Sequence, residues 1–310
     1  MTTDREQQDL IPVLFCTDHH YWKHLGVAIA SLLAANPSLR FRIIVCSMIE
    51  NLAAEPKIRE IFPAVEFVRY NINQYGFRTD RNITIASYLR LFMTEFVDLA
   101  IDKLLYLDCD MVVCGNIQSL WETDLSVSSL AAVPEPYAGQ AALGFKAGDP
   151  YFNGGTLLIN LKLWRAENLL EQFLRYANLH AEHLLAHDQD ILNGVLRGRI
   201  IALSYRWNFH APYADCSPGQ LRIGAREFAQ IRKLPAIVHF VGSAKPWSFD
   251  EEPHYKDLYW RARALTPWQT PAPKTKFRTQ LRERMNWYFP RFSAVLRSLA
   301  GKRSRLDVSR

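Results

Sequence analysis

The chain has 310 residues, of which 49% are hydrophobic and 12% aromatic, enough apolar surface for a full core and too much for a disordered chain. Its net charge of +6 is uneven: residues 274–310 hold eleven Lys or Arg against Glu283 and Asp307, a local +9, so residues 1–273 carry −3. No apolar run approaches the roughly 18 residues of a spanning helix, the opening Met1 to Leu10 is too polar for a secretory leader, and five scattered cysteines without a C-x-x-C pair suit neither a disulfide framework nor a zinc site, so a cytoplasmic protein is expected.

Ile11 to Thr17 is a short apolar run that predicts a strand, Tyr21 to Ala35 has apolar residues at helical spacing, and Phe41 to Ser47 is a second strand. Val65 to Tyr70 supplies a third strand, Ile83 to Leu99 a helix, and Lys103 to Leu107 a fourth strand running into Asp108-Cys109-Asp110. Strands alternating with helices predict an α/β fold with a mostly parallel sheet covered on both faces. Ligands of such sheets sit beyond the carboxyl ends of the strands, where Asp18 and Asp108 both fall. Farther on, Phe152 to Asn160 reads as strand, Glu167 to Leu185 as helix, Asp188 to Leu196 as a shorter helix, and Ala236 to Val241 as strand.

Thr266 to Lys274, with Pro267, Pro271 and Pro273, reads as a linker, which divides the chain into a domain over 1–265 and a tail over 266–310. In the tail Phe277, Leu281, Met285 and Tyr288 share one helical face, as do Phe292, Val295, Leu296 and Leu299 after Pro290, with Lys and Arg between them. That is the profile of helices lying on an anionic membrane, where each nearby cation contributes about 1 kcal/mol. A packed C-terminal helix with a solvated basic face fits the same pattern. The membrane surface is the preferred reading, and no nucleic acid partner is expected.

Asp108-x-Asp110 at the mouth of a buried strand offers two carboxylates to one divalent cation; oxygen ligands favour Mg²⁺, Mn²⁺ or Ca²⁺ over zinc. A solvated turn is the alternative, and other segments weigh against it. His239 ends a strand and could be a third ligand, while Gly242 and Lys245 suit a phosphate; a buried histidine followed by an ordinary turn is the competing view. Asp188-Gln189 at a helix start and Asn153-Gly154-Gly155 on a strand suit sugar hydroxyls, or equally an N-cap and a bulge. His183 and His187 have metal-ligand spacing but no Glu after His183, and read as surface or loop residues.

Taken together these segments resemble glycosyltransferase family 8, which includes bacterial lipopolysaccharide galactosyl- and glucosyltransferases and the glycogenins. The likeness runs from about Val13 to Trp247 and is carried by Phe15-Cys16-Thr17-Asp18, Ser87-Tyr88-Leu89-Arg90-Leu91, Leu105 to Asp110, Tyr151 to Gly155, His187 to Asn193 and His239 to Trp247. It implies a single Rossmann-like nucleotide-binding domain of GT-A type and a retaining transfer of galactose or glucose from a UDP-sugar to a saccharide, such as a lipid-linked oligosaccharide. It also implies Asp108, Asp110 and His239 as ligands of Mn²⁺, with Mg²⁺ an alternative, and Cys16 and Asp18 near the uridine. Gly242 and Lys245 would meet the diphosphate, and Arg90, Asn153, Gly154, Asp188 and Gln189 the donor sugar. The chain departs from the family at His19-His20, where relatives often carry Asp and Asn, and at Gly154, where lipooligosaccharide galactosyltransferases have Ala. Because the expected nucleophile position holds Gln189, an amide, same-face displacement by the acceptor is favoured over a covalent sugar intermediate.

Overall fold

Strand β1 (Ile11–Cys16) is buried along its whole length, as a strand covered on both faces must be, which is why its sequence shows no polar alternation. Helix α1 (Trp22–Ala35) follows, then β2 (Phe41–Ser47), α2 (Glu55–Ile61) and β3 (Glu66–Arg69). In this computed structural model, which describes residues 10–79, 84–136, 140–248 and 251–269, β2 pairs parallel to β1 and β3 parallel to β2. The chain then returns to β4 (Lys103–Leu107), parallel to β1 on its other side. That reversal of direction opens a crevice beyond the carboxyl ends of β1 and β4. The Cys109 thiol donates to the Cys16 carbonyl at 3.2 Å and ties the two strand ends together.

The single helix expected over Ile83 to Leu99 is instead a 3₁₀ helix over Ile85–Phe92 followed by one α-helical turn, α3 (Met93–Phe96). The Arg90 side chain donates Nε–H to the Ser87 carbonyl at 3.0 Å, occupying an acceptor that an α-helix would offer to its own backbone. Next come β5 (Met111–Val113), α4 (Gln118–Trp121), β6 (Leu130–Pro134) and β7 (Phe152–Asn160). Strand β7 runs antiparallel to both β4 and β6, and β8 (Ile200–Ala202) joins β6 in parallel, giving the order β3-β2-β1-β4-β7-β6-β8.

Between β7 and β8 lie α5 (Leu161–Ala166), α6 (Leu169–Leu179) and α7 (Asp188–Val195). The helix expected over Glu167 to Leu185 is interrupted: Asn168 takes a left-handed φ of 49° that starts α6 afresh, and the helix stops at Leu179. The chain continues through β9 (Phe209–His210), α8 (Ala225–Lys233), β10 (Ile237–His239) and α9 (Lys256–Arg263), and β5, β10 and β9 form a small second sheet.

Alternate strand residues feed opposite faces of the main sheet. Val13, Phe15, Leu105 and Leu107 pack with Leu25 and Ile29 of α1, while Leu14, Leu104, Tyr106 and Leu157 pack with Tyr88, Trp164 and Phe173. Each fully buried aliphatic or aromatic side chain of this kind contributes about 1.5–3 kcal/mol. Helix α1 is buried on its far side as well, because Val27 meets Val112, Phe240 and Tyr259. All five cysteines are free thiols. No helix among the described residues is long and apolar enough to cross a membrane. Of the segment expected as a linker, Thr266 is buried and Trp268 packs on the core; its residues 270–274 and the amphipathic basic tail lie outside the described residues.

One contact on α1 reaches toward the crevice. The buried His24 ring stacks on Trp247 with centroids 3.5 Å apart, and its Nδ1 lies 2.7 Å from the Tyr259 hydroxyl. Burial, helped by the charges of Lys23 and Arg263, lowers the His24 pKa to about 3. Below its ordinary pKa of about 6.5 the unfolded chain takes up a proton that the native state refuses, so stability falls with pH through that window. At pH 5 the loss from this group is about 2 kcal/mol. Urea unfolding of His24→Phe should therefore show less destabilisation between pH 7.5 and pH 5 than the parent chain does; equal losses would contradict a neutral buried His24.

Candidate functional site

Asp108, Cys109 and Asp110 fill the turn that carries the chain from β4 in the main sheet to β5 in the small one. Backbone bonds fix both acids: Asp108 N donates to Gly155 O at 2.9 Å, and Phe240 N donates to Asp110 O at 3.0 Å. Cys109 turns inward and is buried. Antiparallel pairing of β10 with β5 sets His239 opposite Met111, and so beside Asp110. His239 Nε2 lies 3.1 Å from Asp110 Oδ1 and 3.7 Å from Asp108 Oδ2.

Among the described residues this is the group able to hold a metal ion: one ligand atom from each of Asp108, Asp110 and His239 lies within 4.8 Å of the other two. An octahedral cation with bonds of about 2.1 Å places its ligands about 3.0 Å apart when adjacent and about 4.2 Å apart when opposed. The spacing fits, and two carboxylates with one imidazole suit Mn²⁺ or Mg²⁺. Gly155 makes the approach possible, since a Cβ there would overlap the His239 ring and come within 2.7 Å of Met111 Cε.

The acids have cationic neighbours from distant parts of the chain. Lys245 Nζ sits 2.6 Å from Asp110 Oδ2 and donates to the Phe240 carbonyl at 2.6 Å, reached through a turn in which Gly242 has φ of 76°. Burial alone would raise the Asp110 pKa, but its neighbours, the Lys245 ammonium foremost, outweigh it and hold the carboxyl well below the usual range. Arg90 is buried between two acids, with Nη2 at 2.9 Å from Asp108 Oδ1 and Nε at 3.0 Å from Asp188 Oδ2, and it also donates to the Gly154 carbonyl. Burial would favour its losing a proton; the two carboxylates more than offset that, and the guanidinium stays charged. Asp188 is raised by its own burial, against the pull of Arg90.

Asp188 and Gln189 open α7, and the preceding His187 takes a φ of 53° that turns the chain into the crevice. The expectation of a surface or loop His187 is corrected here: it is 5% exposed, with Nδ1 3.0 Å from the Tyr88 hydroxyl, because the helix start is pressed against the 3₁₀ segment. His183 is exposed in a separate 3₁₀ turn, so the two are not a helical pair. Gln189 Oε1 accepts from Gly154 N at 2.9 Å and Asn153 Nδ2 at 3.1 Å. The glycines belong to an irregularity in the β6–β7 register, where Ala132 pairs with Leu157 but Val133 with Asn153.

Every site residue expected from the sequence except Asn153 lines one cavity of about 600 Å³ at the β1/β4 crevice, a size suited to a small-molecule ligand. Asn153 stands behind Gln189 and braces it. Asp18 is not the N-cap of α1; its carboxylate accepts from His20 N at 2.8 Å and the Thr84 hydroxyl at 2.7 Å. Residues missed in the sequence include Tyr21 and Tyr106 on the cavity wall and Asn208 behind it. Tyr106 donates its hydroxyl to Asp108 Oδ1 at 2.7 Å, and its place two residues before Asp108, on the same side of an extended chain, was a usable signal.

Comparison with known proteins gives this arrangement a lineage. The chain is 28% identical over 278 residues to General stress protein A of Bacillus subtilis, covering 85% of this chain and 96% of that protein. It is 26% identical over 280 residues to the lipopolysaccharide 1,2-glucosyltransferase of Escherichia coli, covering 86% of this chain and 81% of the relative. The fold matches the crystal structure of the galactosyltransferase LgtC in complex with donor and acceptor sugar analogues, with a TM-score of 0.73 and 27% identity over 84% of this chain and 98% of that one. The sheet order and crevice described above are thus those of a GT-A-type glycosyltransferase. The model of glycosyl transferase family 8 matches residues 12–251, and the chain belongs to that family.

Proposed function

We propose that this glycosyltransferase moves galactose or glucose from a UDP-hexose to a saccharide acceptor of the lipopolysaccharide or lipooligosaccharide core type, with retention and dependence on Mn²⁺. The observation that carries the reading is the Asp108–Asp110–His239 group opening onto the same cavity as Lys245, Arg90 and Gln189. Asp108, Asp110 and His239 would hold the cation, whose charge would offset that of the departing diphosphate. Lys245 now pairs with Asp110 and would add a second positive charge for phosphate. Arg90, fixed by Asp108, Asp188 and Gly154, presents a rigid cationic wall to the donor sugar.

The carboxylates and amides near the sugar position favour same-face displacement. Gln189 Oε1 already has both lone pairs engaged by Gly154 and Asn153. Asp188 is tied to Arg90, and Asp190 is 1% exposed, accepting from Tyr151 Oη at 2.6 Å and Ala186 N at 2.7 Å. With neither Asp188 nor Asp190 free to form a glycosyl intermediate, the acceptor oxygen enters from the face the phosphate leaves. Its bond to the anomeric carbon forms as the carbon–phosphate oxygen bond breaks, and its proton passes to the departing phosphate. The basic tail would hold the enzyme on the inner, anionic membrane face beside a lipid-linked acceptor.

A panel of nucleotide-sugars assayed with and without Mn²⁺, followed by the anomeric configuration of the product, tests the function; absence of turnover with every UDP-hexose would remove it. Asp110→Ala should abolish Mn²⁺-dependent turnover without unfolding the chain, and Lys245→Ala should lower kcat on the order of 10²-fold or more. Arg90→Lys keeps the charge but cannot bridge two carboxylates, and should cost on the order of 10²-fold in kcat/KM; near-parental kinetics would deny Arg90 its place at the sugar. Removing residues after Pro273 should abolish binding to anionic liposomes while sparing hydrolysis of the donor, and undiminished liposome binding would refute the tail's role.

A further inference from the structure

Behind the metal-ligand group runs a chain of buried side-chain amides that fixes the direction of every hydrogen bond in it. The Gly155 backbone N–H can only donate, so the Asn153 atom it meets at 2.9 Å is the oxygen Oδ1. The same oxygen lies 2.7 Å from the Asn208 side chain, which must therefore present its Nδ2–H₂ there. The other end of that amide, Oδ1, faces His239 Nδ1 at 2.9 Å and can only accept. His239 consequently carries a proton on Nδ1, which leaves Nε2, the atom facing Asp110 and Asp108, to supply the lone pair that metal ligation needs. At its other end the chain is anchored by Gly154 N–H on Gln189 Oε1, which also accepts from Asn153 Nδ2. Asn208 is fully buried and Asn153 is 8% exposed, so water does not compete for these groups.

We infer that Asn208 is a positioning residue that holds His239 in its Nδ1–H tautomer for metal ligation and links that ligand, through Asn153, to Gln189 on the cavity wall. The inference rests on reading Asp108, Asp110 and His239 as a metal centre. With Nδ1 tied, Nε2, 3.1 Å from Asp110 Oδ1 and 3.7 Å from Asp108 Oδ2, is the ring atom placed to ligate a cation among the three. Ligating histidines commonly have their second nitrogen tied in this way, and loss of such a partner typically weakens metal binding 10–100-fold. Here the partner is an amide whose own orientation is dictated by backbone, so the tautomer is written into the β7 irregularity that supplies Gly154 and Gly155.

The test is nitrogen NMR of the full chain with labelled histidine, in mildly alkaline buffer with and without Mg²⁺, the His239 signals being assigned by His239→Gln. Mn²⁺ affinity is measured alongside by calorimetry. The parent chain should show a protonated Nδ1 and an unprotonated Nε2 at His239. Asn208→Leu removes both bonds, and should lose the fixed tautomer and bind Mn²⁺ on the order of 10–100-fold more weakly. Asn208→Asp keeps an acceptor for Nδ1–H but opposes two oxygens at Asn153; it should retain the tautomer and most of the Mn²⁺ affinity, while kcat falls because Gln189 loses its brace. A parent chain with its proton on Nε2, or a folded Asn208→Leu with unchanged tautomer and Mn²⁺ affinity, overturns the inference. A parent chain with the Nδ1–H tautomer that takes up no Mn²⁺ upholds the relay and overturns the metal reading instead.

Discussion

Asp108 and Asp110 repel one another across a single intervening residue, and the crevice is organised around the groups brought in to hold them. Arg90 comes from a 3₁₀ helix, His239 from a strand of the second sheet and Lys245 from the loop beyond it. Buried charges of this kind persist only when each finds a partner of the opposite sign at hydrogen-bonding distance. That requirement brings to one turn a segment just before the acids and two that lie more than a hundred residues after them. The small second sheet has a clear purpose in this light: pairing β10 with β5 is what delivers His239 to the acids that β4 has just presented.

The same constraint explains the local irregularities. In the 3₁₀ segment the Arg90 side chain bonds back to the Ser87 carbonyl, the register shift in β7 clears space at Gly155 for the His239 ring, and the left-handed His187 aims Asp188 at Arg90. Each costs regular hydrogen bonding or conformational freedom, and each lies within the shell of the cavity. The remainder of the sheet, with its continuous apolar strands, supplies the rigidity against which these departures are held.

Much of this was legible in the sequence. The apolar runs of β1, of Leu104–Leu107 in β4 and of Leu157–Ile159 in β7 announced a buried sheet, the acidic pair sat where a strand run ended, and the order of motifs pointed to family 8. What was hidden depended on tertiary pairing. β9 is two residues long and gives no periodic signal, so Asn208 beside it could not be distinguished from a loop residue. His187 looked solvated because its burial comes from the 3₁₀ segment about a hundred residues earlier. The helices over Ile83 to Leu99 and Glu167 to Leu185 had the right composition but were broken by a side-chain bond at Ser87 and a left-handed Asn168. Asp108-Cys109-Asp110 itself, ambiguous as a motif, acquires its meaning only from Arg90, His239 and Lys245 folded around it.

The central claim is that these acids, with His239 and Lys245, form the seat of a metal-bound diphosphate. The most direct measurement is a crystal of the chain grown with Mn²⁺ and a non-transferable UDP-hexose, with manganese located by anomalous scattering. The account requires one manganese peak ligated by Asp108, Asp110 and His239, with the diphosphate between it and Lys245 and the hexose against Arg90 and Gln189. A nucleotide-sugar bound with manganese elsewhere, or with the Lys245–Asp110 pair turned away from the phosphates, would contradict it.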